Sequence, residues 1–335
     1  MKTYDNTIFD SYNRIARKLR ISVTDKCNFR CNFCMPDDPV WLPNNELLTF
    51  NEITRLAKIM SNFGINKIRL SGGEPLLRKN IDHLVKDLVN IKKIKSVNIT
   101  TNGVLLKQLA TPLKKAGLNG VTISLHSLKN DRFDKIVGVK NTLNQVLEGI
   151  KYAQNVNLSP IKINCVIIKG CNEDEILDFA KFAYDNQIVI RFIEFMPFDG
   201  NKFWGMDQII SKKQILQKIR KKYDLIASER EFGSTAHVYN FKDNPNGGIG
   251  VISSMTEPFC SDCDRIRLKA DGNLVPCLFS QDEYNLRPFL RNGCSDIEIS
   301  KIIKKFYLKK FSGIETLIKE KINVDHIRPM HTIGG

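Results

Sequence analysis

An α/β fold is predicted: an incomplete TIM-type barrel of six strand–helix units, (βα)6, followed by a C-terminal lobe. Three observations predict it. A short strand pattern followed by a helical pattern recurs six times. The strands alternate polar with apolar residues and do not read as continuous apolar runs. Near residue 234 the texture changes, and Gly247, Gly248 and Gly250 punctuate shorter strands. At 335 residues the chain can fill one large core and a smaller lobe. The expected division is 1–233 for the barrel and 234–335 for the lobe.

The six expected strands are Leu19–Thr24, Lys67–Ser71, Val97–Thr100, Val121–Leu125, Ile161–Ile167 and Val189–Met196. Helical patterns between them include Asn51–Phe63, Ile81–Ile91, Leu105–Ala116, Thr142–Asn155 and Glu173–Asn186, the last with Asn172 placed as its N-cap. In the first strand Leu19, Ile21 and Val23 share one face, and Arg20, Ser22 and Thr24 the other. Ile68 and Leu70 oppose Lys67, Arg69 and Ser71, while Ile161, Ile163 and Cys165 oppose Lys162 and Asn164. The apolar face must meet the helices, so the polar face points into the barrel. A closed eight-stranded barrel fills its interior with bulky apolar side chains. A polar interior fits a wider, incomplete barrel whose lumen holds ligand and water. Arg20, Arg69 and Lys162 are then inward cations. Burying them unpaired is too costly, so they meet an anion. Pairing with an inward acid such as Glu194 is the alternative, and such acids are few.

In the lobe, Arg265, Arg267 and Lys269 alternate along one strand, and helices are expected near Ser295–Tyr307 and Gly313–Lys321. The lobe is expected to cover the open side of the barrel. The net charge of +15 favours an anionic partner. Most lysines read as solvated surface, including Lys92, Lys93 and Lys95 and the run Lys304, Lys305, Lys309 and Lys310. No apolar run approaches membrane-spanning length, and Met1 to Arg20 mixes Asp5 and Asp10 with basic residues. A cytoplasmic protein without a membrane partner is expected.

Six of the nine cysteines form two groups of three. Cys27-x-x-x-Cys31-x-x-Cys34 follows the first strand, at the end of the barrel where active sites sit. A structural zinc site wants four ligands, and no histidine or fourth cysteine stands nearby. Three thiolates on a four-iron cluster leave one iron open to an outside ligand. The second group is Cys260-x-x-Cys263, then Cys277. Alone it could be half a zinc site, with Cys294 or His237 as a fourth ligand, or a redox pair. Cys165 reads as a core residue, and Cys171 and Cys294 as incidental.

At these cysteines the sequence resembles the molybdenum-cofactor biosynthesis protein A family, the GTP 3′,8-cyclases of the radical S-adenosylmethionine (SAM) superfamily. The resemblance runs from about Asn13 to Gly335. It is carried by Leu19–Cys31, Ser71-Gly72-Gly73-Glu74-Pro75, Thr100-Thr101-Asn102-Gly103, Phe192–Pro197, Cys263–Leu268 and the final Gly334-Gly335. The Cys-x-x-x-Cys-x-x-Cys and Gly-Gly-Glu-Pro elements are superfamily-wide. The C-terminal cysteine spacing with Arg265 and Arg267, and the double glycine, are specific to the family.

The resemblance implies roles. Cys27, Cys31 and Cys34 would hold a four-iron cluster that binds and cleaves SAM. Cys260, Cys263 and Cys277 would hold a second, whose open iron meets guanine. Gly73 would contact the SAM amino group through backbone that glycine leaves exposed, and Phe33, Ser124 and Met196 other parts of SAM. Arg20, Arg69, Thr100, Lys162, Arg265 and Arg267 would hold GTP. Gly334 and Gly335 would reach into the pocket. An adenosyl radical would then take hydrogen from C3′ of GTP, and C3′ would bond to C8, giving 3′,8-cyclo-7,8-dihydro-GTP. A reducing electron donor and a homodimer are implied. Three positions depart from the family pattern: Phe33 replaces a common tyrosine, His126 a common aspartate and Asp264 a common asparagine. Rival readings are a radical SAM enzyme acting on a peptide, which would need more C-terminal cysteines, and one acting on RNA. No RNA-binding motif with interleaved aromatics is visible, so no nucleic-acid partner is expected. An electron-transfer iron–sulfur protein would need four cysteines per cluster.

Overall fold

A computed structural model describes residues 7–201, 203–319 and 328–334. In chain order the elements are β1 (Lys18–Ser22), α1 (Phe50–Ser61), β2 (Lys67–Ser71), α2 (Ile81–Val89), β3 (Ser96–Thr101) and α3 (Leu106–Lys115). Next come β4 (Gly120–Ser124), α4 (Asn130–Val137), α5 (Leu143–Asn155), β5 (Ile161–Ile167), α6 (Ile176–Asn186) and β6 (Val189–Glu194). After α7 (Lys212–Arg220) and β7 (Leu225–Ala227), the lobe adds β8 (His237–Phe241), β9 (Gly248–Ile252), β10 (Arg265–Leu268), β11 (Asn273–Val275) and β12 (Tyr284–Asn285). It closes with α8 (Arg287–Arg291), α9 (Asp296–Tyr307) and α10 (Ile314–Lys319).

β1 to β6 pair in sequence order, all parallel. This is the (βα)6 partial barrel. Its alternation works as the sequence suggested: Leu19, Ile21, Leu70, Val97, Ile99, Ile123, Ile163 and Cys165 are buried under the helices at 0% exposure. Each such large side chain contributes on the order of 1.5–3 kcal/mol of transfer free energy, which pins the register and so the opposite face. Helix starts are marked by reciprocal caps, Thr49 with Glu52 and Ser295 with Glu298.

The lobe is not a separate layer. β9 runs parallel beside β6, and β10 runs parallel beside β1. The sheet therefore continues across residue 234 from both edges of the six-stranded unit, and it is twelve strands wide. The short, glycine-rich β9 is wholly buried. Its glycines serve close packing; a Cβ on Gly250 would lie 2.7 Å from the Arg191 side chain.

Three sequence expectations change. Asn172 is not a side-chain cap of α6. It is 1% exposed, accepts from the Ile168 N–H, and donates to the carbonyls of His126 and Val166, so it ties two barrel loops together. Glu194 does not neutralise the inward cations: its carboxylate takes the N–H groups of Met255 and Thr256 and the Thr256 hydroxyl. Lys310 is not a surface lysine; it is 1% exposed. Among the described residues no helix is long and apolar enough to cross a membrane.

Candidate active site in the barrel lumen

The polar strand faces enclose a cavity of about 490 Å³, within the usual size of a small-molecule site. Its wall includes both cysteine triads, Cys27, Cys31 and Cys34 and also Cys260, Cys263 and Cys277. Every expected SAM and GTP contact also lines it: Phe33, Gly73, Ser124, Met196, Arg20, Arg69, Thr100, Lys162, Arg265 and Arg267.

The cations stand in register. Arg267, Arg20 and Arg69 face one another across β10, β1 and β2. Burial holds the Arg20 guanidinium well below its ordinary range, and Arg267, Arg69, Arg265 and Arg191 push it further. Arg69 falls to about 10 through burial, and Arg267 to about 10 through burial and then Arg265. Lys162 is lowered by burial and by Arg191 and Arg69. These groups disfavour one another's charge, so the lumen is a place for a polyanion. Arg69 donates to the hydroxyls of Thr100 and Thr122 at 3.3 and 3.1 Å, neutral partners that orient it without cancelling its charge.

Arg191 is the functional candidate that sequence reasoning missed. It lines the cavity, donates to Thr122 at 3.1 Å, and is depressed to about 9 by burial and Arg69. The same alternation carries the signal, since Ile190 and Phe192 are buried on the opposite face. Its Nε and the nearby Asn164 Oδ1 are buried without partners among the described residues, as expected of groups awaiting a ligand.

The first triad sits on a loop braced by the glycine-rich end of β2. Gly73 donates its N–H to Thr24 and Glu74 donates its own to Lys26, both at 2.8 Å. A Cβ on Gly73 would lie 2.4 Å from the carbonyls of Asp25 and Lys26. The glycine is therefore required by close packing on the cysteine loop, a different reason from the exposed backbone expected. Glu74 is wholly buried and accepts from the N–H groups of Leu76 and Asn102 and the Thr101 hydroxyl. Asn102 in turn donates to Asn28 at 2.7 Å. The Gly-Gly-Glu-Pro and Thr-Thr-Asn-Gly runs thus form one scaffold for the loop.

Burial raises the thiol of Cys27 to about 11 and that of Cys34 to about 12. The mutual charge of Cys27 and Cys34 adds to the second. Three partly buried thiols that repel as anions need a cationic centre to ionise them. Among the described residues no three His, Cys, Asp or Glu side chains converge as ligands of a single ion. Ligands of a multi-iron cluster each hold a different iron, so three thiols need not converge on one point to hold one. Cys294 and His237 do not line the cavity, and Cys165 is a core residue at 0% exposure.

Two family departures touch each other. The Phe33 and His126 rings meet edge-on with centroids 4.7 Å apart. Burial lowers His126 to about 3, so it is neutral, and its Nδ1 accepts from the Val166 N–H. The third departure, Asp264, pairs with Lys18 at 3.1 Å.

The tail enters the site. Met330 donates its N–H to Phe198, the His331 backbone lies at Cys34 and lowers its thiol, and the Gly334 carbonyl accepts from Arg267 at 3.0 Å. Gly334 has φ +74, and a Cβ there would lie 2.6 Å from the Ser71 hydroxyl. Gly335 lies outside the described residues.

Comparison with known proteins agrees with this geometry. Residues 21–183 match the Radical SAM superfamily and residues 188–315 match Molybdenum Cofactor Synthesis C. A GTP 3′,8-cyclase of Thermodesulfovibrio yellowstonii is 42% identical over 329 residues, covering 97% of this chain and 99% of its own. Molybdenum cofactor biosynthesis protein 1 of Homo sapiens is 43% identical over 296 residues, covering 88% of this chain. The chain spans about half the length of that relative and of its Dictyostelium discoideum counterpart, 46% and 52%. Streptococcus suis SuiB bound to S-adenosylmethionine superposes with a TM-score of 0.62 at 15% identity, over 96% of this chain and 76% of its own. That likeness concerns the fold.

Proposed function

The chain belongs to the GTP 3′,8-cyclase family of radical SAM enzymes, and from that premise we propose that it converts GTP to 3′,8-cyclo-7,8-dihydro-GTP, the first step of molybdenum cofactor biosynthesis. The observation that carries the reading is the crowd of mutually repelling cations lining the same cavity as two cysteine triads. A triphosphate supplies the missing negative charge, and guanine and SAM then fall toward opposite walls.

Cys27, Cys31 and Cys34 hold a four-iron cluster, with Phe33, Gly73, Ser124 and Met196 around SAM. Bound there, cluster and SAM supply a hydrogen-abstracting adenosyl radical by one-electron cleavage. Cys260, Cys263 and Cys277 would hold the second cluster, which would supply an open iron for the guanine base. Arg20, Arg69, Lys162, Arg191, Arg265 and Arg267 bind phosphate oxygens by charge-assisted hydrogen bonds, and Thr100 keeps Arg69 in place. With both ends of the nucleotide held, the ribose lies mid-lumen facing SAM, and positioning of this kind carries much of the rate. The tail, held through Gly334, closes the pocket over the substrate. An external reductant, a homodimer and a cytoplasmic location belong to the same reading and rest on the family resemblance.

Anaerobic reconstitution tests the two-cluster part. We expect about eight irons per chain, as two four-iron clusters. Serine at Cys260, Cys263 and Cys277 should remove half the iron and abolish the spectral response to GTP, leaving SAM cleavage in place. Serine at Cys165, Cys171 and Cys294 should leave the iron content unchanged. Zinc at the C-terminal triad after anaerobic work would overturn the reading.

A further inference from the structure

We propose that Lys310, on the loop after α9, is a positioning residue of the second cysteine triad: its ammonium holds the Cys263 sulfur as a hydrogen-bonded anion and raises the reduction potential of the centre that this sulfur ligates. The proposal rests on the reading that an iron–sulfur cluster occupies the triad.

Lys310 is 1% exposed, although it lies in a run of otherwise solvated lysines. Its ammonium donates to the Cys263 carbonyl at 3.1 Å, the Arg265 carbonyl at 2.9 Å, the Tyr307 hydroxyl at 3.3 Å and the Cys263 sulfur at 3.4 Å. None of these partners is a carboxylate. A buried cation needs an anion, and the thiolate is the member of this set that becomes one on binding metal. Arg265 also reaches that sulfur through Nε at 3.4 Å. Arg265 lines the lumen, whereas Lys310 does not. Lys310 therefore acts on the sulfur from the far side, away from substrate.

The loop carrying Lys310 is fixed from two directions. Buried Arg14 donates to the carbonyls of Cys260, Phe311 and Ser312 at 2.6–2.8 Å, and its Nε pairs with Asp10 at 2.6 Å. A Cβ on Gly313 would lie 2.4 Å from the Cys260 sulfur, so the chain packs directly on that sulfur. The loop is thus the outer wall of the triad, hydrogen-bonded to the Cys263 sulfur and packed against the Cys260 sulfur. Outer partners of this kind tune a metal centre. Reduction adds negative charge, and a fixed cation in a low-dielectric site favours the reduced form. Its removal lowers the potential.

The test uses the full chain, reconstituted anaerobically, with Cys27, Cys31 and Cys34 replaced by serine so that the remaining cluster is titrated alone. In this background Lys310→Met should keep the cluster but make its one-electron reduction at least tenfold less favourable, a downward shift of about 59 mV or more. Lys310→Arg should recover most of that shift. If Lys310→Met loses iron and Lys310→Arg retains it, charge is again the cause and the proposal stands. An unchanged potential at full iron content in Lys310→Met, or equal loss of iron in both variants, would overturn it. Absence of any cluster from the parent protein would sink the two-cluster reading and the proposal together.

Discussion

Gly334→Val should abolish turnover of GTP while both cysteine triads keep their iron. Gly334 has φ +74, a conformation that a β-branched residue resists. Its Cβ would also lie 2.6 Å from the Ser71 hydroxyl and 3.2 Å from the Ser22 Cβ, on strands that cannot yield. The tail would then leave its seat, and Arg267 would lose the carbonyl it binds at 3.0 Å. Misplacement of about 1 Å at a positioned site can cost on the order of a hundredfold in rate, and displacement of the tail should cost at least that. SAM cleavage without substrate should survive. Steady-state product formation, with iron content measured in parallel, checks the expectation. Full activity of the variant would make the tail irrelevant.

Arg267→Met should be nearly as damaging. Arg267 is 6% exposed and lies in register with Arg20 in the row of lumen cations. Losing one charge-assisted bond costs roughly 1.5–3 kcal/mol, about a tenfold to hundredfold loss of GTP affinity, and the tail loses its anchor as well. Arg20, Arg69, Lys162 and Arg191, truncated singly, should each weaken GTP binding about tenfold. A second signature separates this from damage to the fold. Because the cations depress one another, removing Arg20 relieves repulsion in the ligand-free protein. Arg20→Met should therefore bind GTP more weakly while its ligand-free Tm holds or rises. Calorimetry and thermal melts check both halves; unaltered GTP affinity across all these variants would contradict the anion-site argument.

Much of this site was legible in the sequence because strand alternation is a strictly local rule. Leu19, Ile21 and Ile68 had to face the helices, so Arg20 and Arg69 had to face the lumen. Arg191 escaped the same reading because Ile193 shares its face and makes β6 look almost continuously apolar. Lys310 gave no local sign at all. It stands in a lysine-rich turn, and what buries it is a cysteine loop 47 residues away in sequence. Asn172 likewise has a helix-capping context nearby, but distant loop groups won its side chain. The joining of β9 and β10 to the two edges of the barrel was hidden because both strands are short, and the glycines of β9 carry little pairing information. The contact between Phe33 and His126 joins two positions far apart in sequence that could only be noted singly.

The central claim is that the lumen presents the ribose of a held GTP to the SAM side of the cavity. The most direct measurement is the fate of deuterium at C3′ of GTP, under anaerobic conditions with SAM and a strong reductant. The account predicts that the label appears in 5′-deoxyadenosine and that the product carries a new C3′–C8 bond. Unlabelled 5′-deoxyadenosine, formed alongside cyclised product, would contradict it.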